Sequence, residues 1–571
     1  MAMLGGFGVG LGFAGGLAAF VIVRLVGLIS QLALLHRVGF ALPNLRHYHP
    51  TWWLVPIALG GALVVIALAR WSPVIRGHGI PESLEAITLR ESRIAPRAAV
   101  AKPLSAAIAM GTGGPFGAEG PVIVTGGAIG SLLGQLVPVS PAERRILLAC
   151  GAAAGMAGVF ATPVAAILLA FELLVFERSL RALLPLLLAT GIATEMHIIL
   201  IGPHPLFAVT ETLRTSTAEL PLFVVVGVAA GILAVVFDRG LFTCEAVFRR
   251  LPIPERAHPL VGALGFALIG MAVPGTLSVG YWAITDSVNG RFVLAVAAVL
   301  FVGKLSSWWI ALASNTSGGT LAPMFLVGAT MGEMIGIGFA RLFPGLHVQP
   351  GAFAIVAMGA AFGVGARALL TGGVFALEVT GAYHLVVPML IAVGVAELVG
   401  EQFLSERIMS DKLARRGYRV NFDTEADPFR TRVAGQVMAP LPGSGVDDGA
   451  PTIDRRAYVR DALGSLLSGD AGCVVVTEEG AAVGVLTPAI VVGLLSDRMR
   501  ENDVQPPSLH IRRHRRRPRG EAELTTSVAP EVIPADDTAP DAVPVDVAVP
   551  DDTAPDVTAP GKESQSEEEP G

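Results

Sequence analysis

The chain has 571 residues, of which 52% are hydrophobic and 15% charged, with a mean hydropathy of +0.62. Soluble domains carry about a quarter charged residues, so a cytosolic enzyme, a secreted disulfide scaffold and a disordered chain are each excluded as accounts of the whole. The net charge of −6 is unevenly spread: from Glu521 onward acidic residues face a single Lys562, leaving the preceding chain net basic, as expected of loops flanking membrane spans rather than of a nucleic-acid surface.

Met1–Leu35 lacks a charged leading region and a small-residue cleavage pattern, and reads as a retained first span rather than a signal peptide. Apolar stretches then continue to Leu404 and divide into about a dozen to fourteen helical segments, several shorter than the roughly 20 residues that cross a bilayer. Short segments must be re-entrant or end at a protein-lined cavity, since bare N–H and C=O groups cannot stand in hydrocarbon. The expectation is an all-α polytopic membrane protein with tilted, partly re-entrant helices.

A repeat supports this. Gly151-Ala152-Ala153-Ala154-Gly155 leads to an apolar run ending in Glu172-Leu173, and Gly359-Ala360-Ala361-Phe362-Gly363 leads to one ending in Glu378-Val379. Two such halves are a common plan for transporters, with the binding site at their interface. An acid repeated in both halves reads as a hydrogen-bonding partner for backbone at helix breaks. Arg407, Lys412, Arg415, Arg416, Arg419, Arg430 and Arg432 crowd the exit of the last span, which places the C-terminal region in the cytoplasm.

Beyond the membrane region (1–417), residues 433–500 read as a small α/β unit. A helix is expected over Val459–Leu467, strands over Gly472–Val476 and Ala482–Leu486 with a turn at Glu478–Gly480, and a final helix over Ile490–Asp497. Residues 503–571, first basic and then rich in Pro, Ala, Asp and Glu, hold too little apolar surface to fold and are expected to be disordered. Cys150, Cys244 and Cys473 show no paired or metal-ligand spacing; no metal or cofactor is expected.

Three Gly/Pro loops interrupt the apolar body: Gly77-His78-Gly79-Ile80-Pro81-Glu82, Gly117-Ala118-Glu119-Gly120-Pro121 and Gly318-Gly319-Thr320-Leu321-Ala322-Pro323. Glycine permits the tight bend, and proline falls where a helix begins and no N–H is needed. Helix N-termini carry unsatisfied N–H groups and partial positive charge, so several meeting at one point make an anion site without a buried cation. A carboxylate there, Glu119, sits in a positive field. It takes an anion's place when charged and gives it up when protonated.

These loops, with Ala357–Tyr383 and Lys412–Gly417, resemble the chloride channel (CLC) family of anion channels and proton-coupled anion exchangers, bacterial-type, over about Val74 to Gly417. The resemblance implies two inverted repeats, a place in the bacterial plasma membrane, a homodimer with one pathway per subunit, and a small anion, chloride foremost, dehydrated among half-helix N-termini. It makes Glu119 the gate, and the proton carrier in exchangers. It puts His78, Gly79, Ile80, Gly117, Ala118, Gly120, Thr320, Leu321, Ala322 and Met409 along the anion path. Nothing implies nucleic acid as a partner; membrane lipid surrounds the body.

Four departures from the family pattern stand out. His78 replaces a serine hydroxyl, and either its imidazole donates to the anion or backbone amides do so while the ring faces a vestibule. Met409 takes the place of a tyrosine donor and cannot donate; Ser410, its neighbour, is rotated away. Leu321 stands where phenylalanine is usual. Leu173 follows Glu172 where exchangers carry an internal proton glutamate, which favours channel-like or weakly coupled transport; the alternative is an antiporter with another inner route, Glu177 being one turn further on. Lys102 either adds positive potential to the pathway or snorkels to the interface. The unit at 433–500 looks like one cystathionine-β-synthase (CBS) module. Such modules pair, and some pairs bind adenine nucleotides; with a single one visible, packing or dimerisation is the expected role. The motifs of intramembrane hydrolases are absent, so an enzyme is not expected.

Overall fold

The computed structural model describes residues 2–72, 75, 79–175, 179–210, 213, 215–404, 407–408, 429, 434–441, 450–457, 459–467, 472–478 and 480–494. They fall in two units, residues 1–431 and 432–571. Gly77, His78, Glu177, Met409, Ser410, the Lys412–Gly417 run and the tail from 503 lie outside the described residues.

Sixteen α-helices occupy the first unit among the described residues, more than the sequence segmentation gave, because glycine and proline breaks divide apolar runs that read as continuous. The first half holds α1 (Ala2–Leu35), α2 (Leu54–Trp71), α3 (Ile80–Leu89), α4 (Ala98–Gly111), α5 (Glu119–Leu136), α6 (Pro141–Phe160), α7 (Pro163–Leu169) and α8 (Leu180–Leu200). The second repeats the order with α9 (Leu220–Arg249), α10 (His258–Ala272), α11 (Tyr281–Val288), α12 (Leu294–Ala313), α13 (Leu321–Leu342), α14 (Pro350–Ala366), α15 (Leu369–Thr380) and α16 (Val386–Phe403). The packing repeats too: α5 lies on α6 as α13 lies on α14, and α1 lies on α8 as α9 lies on α16. Even backbone details recur, since Ala161 and Arg367, which end α6 and α14, are both left-handed.

Seven of the described helices are long and apolar enough to cross a membrane, and four more are apolar but shorter. Their outer faces carry Leu63, Leu187, Ile232, Val299 and Leu390 exposed, as lipid contact requires. The central helices α5, α6, α13 and α14 are buried almost all round. They approach so closely because glycine lines the contact: a Cβ at Gly126 would run into the Gly151 carbonyl, and one at Gly151 into that of Gly126.

Glu172 and Glu378 join the halves reciprocally. Glu172 sits in a π-helical turn, Ala170–Val175, that extends α7. It accepts from the amides of Leu370 and Thr371 at 2.9 Å each and from Thr371 Oγ1 at 2.6 Å, at the start of α15. Glu378 near the end of α15 accepts from Val164 and Ala165 amides at 3.1 and 2.8 Å, at the start of α7. Each acid therefore satisfies orphan donors of the other helix.

In the second unit, β1 (Thr452–Asp454) pairs parallel to β2 (Val474–Glu478), which pairs antiparallel to β3 (Ala481–Leu486). Beside the sheet are α17 (Ala434–Val437), α18 (Val459–Leu467) and a helical stretch over 488–494. The sequence expectation is corrected in two places. The middle strand begins two residues later than read, and β1 went unread because Pro451 and two polar ends disguise three residues. Val474, Val476 and Leu486 form its buried face with Val459 and Leu466.

Candidate functional site

The three Gly/Pro loops come together at the centre of the first unit. Gly117 and Gly319 exchange backbone hydrogen bonds at 3.1 Å in both directions, tying the second loop to the third. Gly79, at φ +107°, lies so close to Gly120 that a Cβ would meet its backbone at 2.6 Å, which brings the start of α3 against the start of α5. Ser105 on α4 donates to Ser317 at 3.0 Å, bracing the third loop from behind. The N-termini of α3, α5 and α13 thus share one small volume, with their dipoles directed into it.

Glu119 is the first residue of α5 and is only 1% exposed. Its Oε1 accepts a hydrogen bond of 3.0 Å from the Ala322 amide in the first turn of α13. Its Oε2 is buried with no hydrogen-bond partner among the described residues. The carboxylate folds over Gly117 and Gly319, and a Cβ on either would collide with it. It lies against the N-terminus of α13.

Gly79, Ile80, Gly117, Ala118, Gly120, Thr320, Leu321 and Ala322 are all buried around this point. His78 and Met409 belong to the residues not described. Lys102 is fully buried and donates from Nζ to the Ile75 carbonyl at 2.9 Å, so the snorkelling alternative is corrected: the ammonium is held inward, at the loop that leads to α3. Leu173 is fully buried.

The sequence reading missed Lys304. It is fully buried on α12, donates to the Thr276 and Ser278 carbonyls at 3.0 Å each, and interacts electrostatically with Glu119. A signal was present: Lys304 precedes Leu321 by the same number of residues as Lys102 precedes Glu119. Also missed was an aromatic chain beside the site. Phe160 meets Phe375 edge-on at 4.9 Å, and Phe325 lies 4.9 Å from Phe375 and 5.1 Å from Phe362.

Inverted halves and interrupted helices define an integral membrane transport protein. The model of the voltage gated chloride channel family matches residues 60–401. The chain belongs to that family, and is a membrane anion-transport protein of the CLC type. It is 31% identical over 387 residues to the H(+)/Cl(-) exchange transporter ClcA of Vibrio campbellii, covering 64% of this chain and 82% of that one. Among solved structures, a slow cyanobacterial Cl-/H+ antiporter superposes with a TM-score of 0.63 at 27% identity, over 73% of this chain and 97% of the other. A eukaryotic CLC transporter shares the fold, with a TM-score of 0.60 at 20% identity over 85% and 97% of the two chains.

Proposed function

We propose that this protein carries chloride or a similar small anion across the membrane, and that Glu119 is the gate. The observation that carries the reading is the Glu119 carboxylate lying on the amide at the start of α13. A charged carboxylate there competes with the anion for the same N–H groups. Protonation cancels its charge, releases the amide and lets the anion in, so flux rises as pH falls. Gly79, Ile80, Gly117, Ala118, Gly120, Thr320, Leu321 and Ala322 supply the walls and backbone donors, with His78 proposed beside the central anion and Met409 at the inner constriction.

Two readings of coupling each have support. Leu173, packed fully inside, offers no proton site after Glu172, which favours channel-like or weakly coupled flow. The named relatives exchange chloride for protons, which favours an antiporter with another inner route. A homodimer, a cytoplasmic C-terminus and a packing or dimerisation role for a CBS-like unit at 433–500 complete the proposal. The β1–β2–β3 sheet beside α18 supports the last of these, and an adenine nucleotide is a ligand to test there.

The test is chloride flux from proteoliposomes across a pH series. Glu119→Gln and Glu119→Ala are expected to give flux that no longer varies with pH, in protein that elutes and melts like the parent. Retention of the parent's pH response by both variants would remove Glu119 from the gate.

A further inference from the structure

The pseudo-symmetry of the two halves gives α3 a counterpart in α11, and the likeness extends to its anchoring. Each begins after a left-handed glycine, Gly79 at φ +107° and Gly280 at φ +74°. Each is preceded by a loop whose carbonyls accept from a buried lysine, Ile75 from Lys102 and Thr276 and Ser278 from Lys304. Where α3 starts with Ile80, α11 starts with Tyr281.

Tyr281 is held firmly and close to the gate. The Ser278 amide donates to the Gly113 carbonyl at 3.1 Å, fastening this loop to the turn that leads into Glu119. The Tyr281 ring packs edge-on against Phe207 at 5.3 Å and tilts against Phe160 at 6.3 Å. Its hydroxyl is buried and, like Glu119 Oε2, has no hydrogen-bond partner among the described residues, although the two side chains interact electrostatically. Tyr281 also lines a cavity of about 140 Å³ bounded by Leu42–Leu45 and Ser278–Trp282, room for a few waters.

We infer that Tyr281 is the positioning residue of the gate: its hydroxyl donates to Glu119 when the charged carboxylate moves off the Ala322 amide, giving the gate a second resting place. Two buried polar groups without partners are costly to keep apart, and a phenol O–H is matched to a carboxylate oxygen. The inference rests on Glu119 being the gate. The other charged and titratable groups around the pair are Lys304 on α12, Lys102 on α4 and Glu82 on α3, whose carboxylate accepts from the Gly79 amide; His78 precedes α3. Further along α11 and α13, Asp286 is paired with Arg46 and Arg291, and Glu333 accepts from Ser287 and the Phe292 amide.

The test is Tyr281→Phe in full-length protein, assayed for chloride flux against pH beside the parent, Glu119→Gln and the double variant. Phenylalanine keeps the ring contacts and removes only the hydroxyl, so thermal stability in detergent is expected to hold. A donor to the charged carboxylate favours that form, so its loss makes protonation easier and moves the pH midpoint of flux upward. The expected shift is about 0.5–1 pH unit, a three- to tenfold change in proton sensitivity. In the Glu119→Gln background, Tyr281→Phe is expected to change nothing further. A midpoint that stays put or moves down, with Glu119→Gln abolishing the pH response, overturns the Tyr281 assignment and leaves the gate intact. A Glu119→Gln variant that keeps the parent's pH response overturns both.

Discussion

Glycine at two positions around Glu119 is required for different reasons, and the difference can be measured. At Gly117 a Cβ would strike the Glu119 carboxylate, a side chain that can move. The backbone there is not among the left-handed residues, so alanine is conformationally acceptable. Gly117→Ala is therefore expected to evict the carboxylate from the Ala322 amide and to flatten the pH dependence of flux, as Glu119→Ala does, with little change in melting temperature. At Gly79 the same methyl meets the backbone of Gly120 on a left-handed residue. Overpacking of about 1–3 kcal/mol adds there to roughly 1–2 kcal/mol of backbone strain. Gly79→Ala is expected to lower the melting temperature and the yield of folded protein. If Gly117→Ala instead keeps the parent's pH response, the carboxylate does not need the slot over Gly117 to act.

At the scale of elements, the reciprocal acids tie the halves together through backbone amides. Each of Glu172 and Glu378 gathers at least two amides at the start of the helix that carries the other. Charge-assisted bonds of this kind contribute about 1.5–3 kcal/mol each, and stripping one acid leaves buried donors unpaired. Glu172→Ala and Glu378→Ala are each expected to lower the melting temperature while the surviving protein keeps a pH-dependent flux. Loss of pH dependence with unchanged stability would turn either acid from a cap into part of the proton path. The sequence announced these acids, because a lone acid in an apolar run stands out and recurs. It announced the three loops for the same reason: glycine and proline punctuate hydrocarbon-length runs that would otherwise continue. Lys304 and Tyr281 were not legible by that logic. Lys304 sits in a run that looks like any other membrane helix, and only its spacing to Leu321, set beside that of Lys102 to Glu119, marks it. Tyr281 has no local signal at all; its meaning comes from the pairing of α11 with α3, which is a property of the fold. The short strand Thr452–Asp454 was hidden likewise, since its parallel partner is β2, more than twenty residues away.

For the whole molecule, what is at stake is whether anion movement drags protons with it. The two halves bring three helix N-termini to one point beside Glu119 and surround it with buried helices, and on the proposed reading an anion that passes there meets Glu119. A proton can reach Glu119 from one side by the same route. To complete an exchange cycle it must also leave towards the other side, and Leu173, fully buried in the π-helical turn, cannot accept it. Unless another group takes that role, the proposed gate at Glu119 is expected to open and close the path without tying each anion to a proton. Proteoliposomes with a tenfold chloride gradient and a potential set by potassium and valinomycin separate the cases. Uncoupled chloride flow reverses at about 60 mV, since 1.36 kcal/mol per tenfold ratio balances 2.3 kcal/mol per 100 mV. That value is expected to hold when a pH gradient is imposed. A displacement of the size that a fixed anion-to-proton ratio dictates would make this an antiporter like its named relatives, and would direct the search for the inner proton route to Glu177, His78 and water in place of Leu173.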